Sequence, residues 1–165
     1  MALEPAVTDM ERLKDAPEIM ALSRASAQGV TDAKFDRDEL SIYVDRAFVR
    51  EAVALLRDDA TLRYNYLADV TCVDWYPREP RFEVVIHLLS MSNKSRVRLK
   101  VRLHGDDAAM DSLTPVFPSA NFFEREVFDL FGVRFEGHPF LRRLMMPDDW
   151  KGHPLRKDYP VEGYR

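Results

Sequence analysis

The chain has 165 residues, of which 46% are hydrophobic and 32% are charged, and its formal net charge is −4 at pH 7. This length and hydrophobic content suit one compact domain with one core, and the mildly acidic balance gives no general reason to expect a polyanionic partner. The single cysteine, Cys72, excludes an internal disulfide and a four-thiolate zinc or iron–sulfur site, and it fits a reducing compartment.

The first half of the chain predicts a helix, a pair of strands and a second helix. Loosely helical spacing of apolar residues predicts a short helix over 17–27, and Gly29 follows as a stop signal. Two short β-rich runs, 30–35 and 40–44, flank a polar cluster typical of a hairpin turn. From 47 to 57 apolar residues recur at i, i+3 and i+4, which predicts an amphipathic helix.

Three strands are predicted next, over 66–75, 82–88 and 97–103. In the last of them apolar and basic residues alternate with a nearly perfect period of two. Short connections between the three runs favour antiparallel neighbours. The order helix, two strands, helix, three strands indicates a two-layer α+β fold, with helices on one face of a mainly antiparallel sheet.

A last helix is predicted to begin at Asn121, with Glu124 reaching back as a variant of the capping box, and to end at Gly132. Glu124 is also expected to offset the helix dipole and, with Arg125 and Glu126, to form ion pairs, some of them across an interface. After it the periodicity ends, and four prolines exclude a continuous helix although apolar residues remain frequent. We therefore predict an α+β domain over 1–136 and an extended, partner-docking tail over 137–165.

No run of residues approaches the roughly 18 to 20 apolar positions that a membrane-spanning helix requires. The longest apolar run, Val84 to Leu89, is interrupted by His87, and the N-terminus lacks the basic-then-apolar layout of a signal peptide. We therefore expect a cytoplasmic protein, or one attached to a membrane only through partners.

Two other kinds of site have some support in the sequence. The basic stripe, defined by Arg96, Arg98, Lys100 and Arg102, could follow nucleic-acid phosphates or an acidic protein, although the solvated face of a sheet explains it more simply. A small metal-dependent hydrolase could in principle use the two histidines at 138 and 153 with the acids at 148 and 149. Both histidines lie in Gly-His-Pro turns, and neighbouring arginines would repel a cation.

No G-x-G-x-x-G motif supports nicotinamide or flavin binding.

The most specific residues lie in the last quarter of the chain. They form the runs Glu124–Val133, Gly137-His138-Pro139, Leu141-Arg142-Arg143, Met146–Trp150 and Gly152–Pro160, with Phe135 between the first two. These runs closely resemble the signature of the C-subunit family of proton-pumping NADH:quinone oxidoreductase. Phe122 departs from the family pattern, which usually has Trp there, so the aromatic packing is expected to remain without the indole donor.

The resemblance implies a non-catalytic structural subunit of the enzyme's peripheral arm. It would carry no cofactor and no metal, because flavin and iron–sulfur clusters belong to partner subunits. It would dock on the enzyme's D-subunit, the hydrogenase-like subunit that forms the quinone cavity, and lie beside neighbouring peripheral-arm subunits. We call the D-subunit the quinone-site subunit.

The resemblance also implies a location and leaves an alternative. The location would be the cytoplasmic side of the cell membrane, peripherally and through the complex, and no nucleic acid is expected as a partner. The alternative is the equivalent subunit of a related membrane-bound hydrogenase or of another donor:quinone oxidoreductase.

The resemblance places the partner contacts on the last helix and the tail. The residues expected to bind a partner are Glu124, Arg125, Glu126, Asp129, His138, Pro139, Leu141, Arg142, Arg143, Trp150, His153, Leu155, Arg156, Lys157 and Tyr159. Interface energy concentrates in a few aromatic and arginine anchors, so Arg142, Arg143, Trp150 and Tyr159 are the expected hot spots.

Overall fold

The computed structural model describes residues 6–163. Within that range the elements in chain order are α1 (Met10–Leu13), α2 (Pro17–Ala25), β1 (Val30–Asp36), β2 (Glu39–Val44), α3 (Val49–Asp58), β3 (Tyr66–Asp74), β4 (Phe82–Ser90), β5 (Ser95–Leu103), β6 (Ala109–Asp111), α4 (Ala120–Phe131) and β7 (Arg134–Glu136). The predicted α+β fold is confirmed. The short elements α1, β6 and β7 were not predicted, because three or four residues are too few to show a period.

The main sheet has five strands in the order β1-β2-β5-β4-β3. The pairs β1–β2, β3–β4 and β4–β5 are antiparallel, whereas β2 and β5 are parallel, with Leu40 opposite Val97. The antiparallel pairing expected of the last three strands, β3, β4 and β5, is confirmed, whereas the parallel pair β2–β5 was not predicted. The chain leaves β2 through α3 and returns after two further strands, and such a crossover is what allows a parallel pair.

The core lies between the sheet and the helices. Alternate residues of β5, from Val97 to Leu103, are buried, and α3 contributes Val49, Ala52, Val53 and Leu56 from one face. Among the described residues every buried apolar side chain lies between Ile19 and Phe135. From the tail, Leu141 packs against this core but is only partly buried. The apolar core is thus essentially complete before the tail begins.

The start of α4 differs from its prediction. The N-cap position is Ser119, it makes no side-chain cap hydrogen bond, and the helix begins at Ala120, so the capping box from Asn121 to Glu124 is wrong. Glu124 instead points into the core, where its carboxylate accepts hydrogen bonds from Ser112 Oγ at 2.6 Å and from the backbone N–H of Leu113 at 2.5 Å. The loop after β6 supplies these donors, and no local pattern around the helix start indicates them.

Gly132 ends α4, as predicted. Its φ of +76° is left-handed, a conformation that favours glycine. A Cβ atom on Gly132 would lie 2.4 Å from Arg156 Nη2 and 2.6 Å from His153 Nε2, so the absence of a side chain also allows the tail to approach.

Candidate functional site

The candidate site is the surface formed by α4 and the tail. Within residues 138–163 the tail has turns and bends but neither helix nor strand. It runs along α4 and reaches the turn between β3 and β4. Beyond a contact of His138 Nε2 with the carbonyl of Asn121 at 3.3 Å, where the tail begins, it is attached to the domain at four places.

The first attachment is made by Arg125, on the outer side of α4. Its guanidinium donates hydrogen bonds to the backbone carbonyls of Arg142 and Arg143, both at 3.2 Å. The same guanidinium lies 5.9 Å from the ring centre of Phe122 and 5.8 Å from that of Phe140. Arg125 therefore holds the tail backbone and also lies close to two exposed aromatic rings.

The second attachment is the carboxylate of Asp129, which is fully buried. Its Oδ2 accepts hydrogen bonds from three successive backbone N–H groups, those of Leu144, Met145 and Met146, at 2.9, 2.7 and 2.8 Å. Its Oδ1 accepts one from Arg143 Nη1 at 2.6 Å. Burial alone would raise the pKa of Asp129, but these donors outweigh it and hold the pKa below its ordinary value.

The third attachment covers the C-terminal end of α4. The last carbonyl groups of a helix have no partner within the helix. Three donors of the tail bind three successive carbonyls here: His153 Nδ1 to Asp129 at 2.9 Å, the N–H of Leu155 to Leu130 at 3.0 Å, and Arg156 Nε to Phe131 at 2.6 Å. The tail thus completes the hydrogen bonding of the helix end beside Gly132.

The fourth attachment lies at the end of β3, where Asp74 and Arg81 form a buried pair with two hydrogen bonds of 2.9 Å. Asp74 also accepts the backbone N–H of Lys157 at 2.9 Å, and Arg81 donates to both carboxylate oxygens of Asp158, at 3.0 and 2.6 Å. Burial would raise the pKa of Asp74, but the hydrogen bonds from Arg81 and from backbone N–H groups lower it below its ordinary value.

The tail nevertheless leaves large apolar side chains in contact with solvent. The exposed fractions are 50% for Phe140, 38% for Leu144, 62% for Met145, 38% for Trp150 and 52% for Leu155. Polar groups of the domain therefore hold the backbone of the tail, while its apolar side chains face outward. Clustered exposed apolar residues are typical of a protein–protein contact surface.

Two of the residues predicted to bind a partner are buried within this chain. Glu124 and Asp129 are buried and bound to groups of their own chain, so neither lies on the surface. The expected ion pairs of the Glu124–Glu126 cluster are also absent at Glu124, whose nearest cationic candidate among the described residues is His138, at 4.0 Å.

Other predicted residues join the tail to the helix or are exposed. Those that join them are Arg125, His138, Arg143, His153 and Arg156. Those that are exposed are Glu126, Pro139, Arg142, Trp150, Leu155 and Lys157, whereas Leu141 and Tyr159 are half-buried. Tyr159 donates a hydrogen bond from its hydroxyl to the carbonyl of Lys151 at 3.3 Å.

Sequence reasoning missed the Asp74, Arg81 and Asp158 cluster. Asp74 and Asp158 are separated by the whole second half of the chain, and nothing in either local sequence indicates the other. The one available signal was a pair of opposite charges, Asp74 and Arg81, at the ends of two strands predicted to be neighbours, where cross-strand pairing is common.

The other two kinds of site find little support in the geometry. His138 Nε2 lies against the carbonyl of Asn121 and His153 Nδ1 against that of Asp129, which are eight residues and hence about 12 Å apart along α4. Within residues 6–163 no group of three or more His, Cys, Asp or Glu side chains could hold a metal ion. In the basic stripe, Arg98 pairs with Glu39, and Lys100 pairs with Glu83.

Glu124 also gives the domain an expected pH dependence. Burial is the main cause that raises its pKa from 4.5 to about 7, against the lowering effect of its hydrogen bonds from Ser112 and Leu113. Because the folded-state pKa is raised, the stabilising contribution of the neutral form is fully present below pH 4.5 and is lost as the pH rises through about 7. Above that pH the domain must bury a carboxylate without a cation close enough for a strong pair.

The substitution Glu124→Gln is therefore expected to increase the free energy of unfolding, relative to wild type, by more at pH 8 than at pH 4. The amide keeps an acceptor for Leu113 and can donate to Ser112. The rise in the pKa of Glu124 corresponds to a difference of about 3 kcal/mol in the free energy of unfolding. Chemical unfolding at several pH values measures the difference, with the exposed Glu126→Gln as the control in the same helix. A difference between Glu124→Gln and wild type that does not change with pH would contradict the expectation.

The chain is similar to known proteins over most of its length. A family model described as "Respiratory-chain NADH dehydrogenase, 30 Kd subunit" matches residues 42–165. The C-subunit of NADH-quinone oxidoreductase from Roseiflexus sp. (strain RS-1) is 46% identical over 161 residues, which are 98% of this chain and 87% of that protein. The protein of the same name from Citrifermentans bemidjiense is 46% identical over 145 residues, which are 88% of this chain and 89% of that protein.

Two solved structures are also similar. One, described as "Nqo5 of the trypsin-resistant fragment (1-134)", is 32% identical with a TM-score of 0.60, and the match covers 74% of this chain and 97% of that one. The other belongs to the membrane-bound sulfane sulfur reductase, an archaeal respiratory membrane complex. It is 25% identical with a TM-score of 0.70, and the match covers 87% of this chain and 84% of that one.

Proposed function

This chain belongs to the 30 kDa subunit family of respiratory-chain NADH dehydrogenase, which includes the C-subunits of NADH-quinone oxidoreductase, and we propose that it is a non-catalytic structural component that docks on the quinone-site subunit. The observation that carries this proposal is the tail, whose backbone is bound to the domain while Phe140, Met145, Trp150 and Leu155 remain exposed. Removing such side chains from water lowers the free energy, and a second protein that covers them achieves this.

Two further observations support a folded domain with a separate docking tail. The apolar core ends at Phe135 among the described residues, so the domain over 1–136 does not need the tail for its core. The trypsin-resistant fragment with the matching fold corresponds to about three quarters of this chain, which fits a protease-resistant domain that lacks a tail.

We also propose that the flavin and the iron–sulfur clusters of the enzyme lie in partner subunits. Cys72 is buried among the core residues, and burial raises its pKa well above the ordinary value, so it stays a neutral thiol and not the thiolate that binds metal. No helix between residues 6 and 163 is long and apolar enough to cross a bilayer. In this proposal the chain reaches the cytoplasmic side of the membrane through the complex.

A related respiratory complex is the second candidate, because the fold also occurs in the sulfane sulfur reductase. Sequence identity favours the first candidate, at 46% over nearly the whole chain against 25% for the reductase structure. Purification of the native complex and identification of its components distinguishes the two candidates.

The docking proposal is tested by removing exposed side chains one at a time. Trp150→Ala is expected to weaken binding to the quinone-site subunit by about 2 kcal/mol, or roughly 30-fold in Kd, because buried tryptophans dominate interface energy. Met145→Ala is expected to have a smaller effect in the same direction. Surface plasmon resonance with the purified partner measures both.

Met91 provides a matched control. Met91 and Met145 are both 62% exposed, but Met91 lies in the turn between β4 and β5, at the opposite end of β4 from the Asp74 cluster. Met91→Ala should leave the Kd unchanged. If it weakens binding as much as Met145→Ala, the contact surface includes the far end of the sheet, and the proposed location of docking is wrong.

A further inference from the structure

The shape of the tail depends on a single buried carboxylate on α4. We propose that Asp129 is the positioning residue for docking: it holds the turn over 143–146 in the shape that the quinone-site subunit recognises, without touching that partner itself. This inference rests on the proposed function. It adds that affinity is controlled from inside this chain, by a residue that the resemblance had placed at the interface.

The turn over 143–146 is built around the carboxylate of Asp129. Three successive N–H groups, those of Leu144, Met145 and Met146, converge on one oxygen of Asp129. Successive N–H groups that point to one place form a concave anion-binding turn. Here the anion is a side chain of the domain, so the fold of the turn depends on the position of Asp129.

The turn separates side chains that face the domain from side chains that face solvent. The guanidinium of Arg143 is turned inward, to Asp129 Oδ1 at 2.6 Å and to the carbonyl of Gly152 at 3.1 Å. Leu144 and Met145, whose N–H groups are held by the same carboxylate, leave their side chains exposed. Asp129 thus sets which side chains of the turn remain outside and available to a partner.

The hydrogen bonds between Asp129 and the turn are strong. Hydrogen bonds between an ionised carboxylate and backbone N–H groups are shorter and stronger than neutral ones, and Asp129 accepts four strong ones in a site closed to water. An ionised carboxylate only accepts hydrogen bonds, and all the groups around it here are donors. Carboxylate and turn therefore stabilise each other.

The shape of the free tail affects the affinity for the partner, because ordering a flexible tail on docking costs free energy. A tail already held in its bound shape loses less conformational entropy on docking. If the turn is released, only a fraction of the molecules has the binding shape at any moment, and the apparent Kd rises in inverse proportion to that fraction. The loss should appear mainly in the association rate, because the contacts in the final complex are the same.

The direct test is Asp129→Asn in the full chain, with surface plasmon resonance measuring its binding to the purified quinone-site subunit. In asparagine an NH₂ group replaces one of the two carboxylate oxygens. That group is a donor and faces either Arg143 or the three N–H groups, which are also donors, so one of these two sets of hydrogen bonds is lost. We expect binding at least about tenfold weaker with slower association, and faster tryptic cleavage after Arg142 and Arg143. The exposed Glu51→Gln on α3 is the matched control and should behave as wild type.

A second pair of variants separates positioning from loss of folding. Met145→Pro and Met145→Ala lose the same side chain, but the proline also lacks the N–H that binds Asp129. Weaker and slower binding of Met145→Pro than of Met145→Ala, with equal melting temperatures, supports the inference. Equal affinities of these two variants, or wild-type binding by Asp129→Asn, would overturn it. Failure of the wild-type chain to bind the quinone-site subunit would instead refute the proposed function.

Discussion

A chain that ends at Gly137 is expected to fold normally and to lose its association with the quinone-site subunit. Among the described residues all buried apolar side chains lie between Ile19 and Phe135, so the truncation removes no apolar side chain that packs in the core except the half-buried Leu141. The carboxylates of Asp74 and Asp129 lose tail donors, but water reaches them once the tail is gone. The melting temperature should therefore change little.

Binding to the quinone-site subunit should be lost, because the truncation removes the exposed apolar side chains from Phe140 to Leu155. A few such anchors, at about 2 kcal/mol or more each, account for most of the binding energy of an ordinary interface. Removing several together is expected to abolish measurable binding at micromolar concentrations.

The measurement pairs thermal unfolding of the truncated chain with its capture by the tagged quinone-site subunit. A chain that ends at Pro160 is the matched control, since it keeps all four attachments and should bind as the full chain does. Unfolding of the chain that ends at Gly137 would mean that the tail contributes to the stability of the domain. Undiminished binding would place the interface elsewhere, with the surface of α4 as the first choice.

The sequence predicted the main elements because their signals are local. Alternation over nine residues defines β5, and recurring apolar residues define α3. The pairing of β2 with β5 could not be predicted in the same way. Leu40 and Val97 become neighbours through a crossover connection, and no periodicity specifies which of several apolar strands lies beside another.

The resemblance of residues 124–160 to the C-subunit family is confirmed by the family match over 42–165. What it could not supply is the role of individual charges. Glu124 and Asp129 are five residues apart on one helix, yet one binds a loop of the domain and the other binds the tail. Their partners lie before and after the helix in the chain, and the local sequence is compatible with either arrangement or with ion pairs at the surface.

Replacement of Arg81 by Met is expected to destabilise the domain more than any other single change proposed for it. Asp74 is almost fully buried and has Arg81 as its cationic partner, through two hydrogen bonds of 2.9 Å. Removing one member of a buried ion pair leaves a charge without compensation, which costs about 3–5 kcal/mol. Methionine fills most of the same volume, so loss of packing should contribute little.

The pH dependence identifies the cause of that loss. The pKa of Asp74 is below its ordinary value in the wild type, so the pair stabilises the fold at neutral pH, and this contribution is lost as the pH falls through the folded-state pKa. The difference between wild type and Arg81→Met should therefore shrink in acid. Urea unfolding at pH 7 and at a pH well below 3.8, the ordinary pKa of an aspartate, measures it.

Two further variants separate the pair from the tail contact that shares Arg81. Asp158→Asn removes the partly exposed carboxylate on the tail and should cost less than about 1 kcal/mol, since exposed pairs contribute little. The double variant Asp74→Asn with Arg81→Met removes both charges and should be more stable than Arg81→Met alone. If the double variant is as unstable as the single one, Arg81 stabilises the domain through its stacking at 4.9 Å on Tyr76 and Phe82, and the buried charge of Asp74 is not the cause.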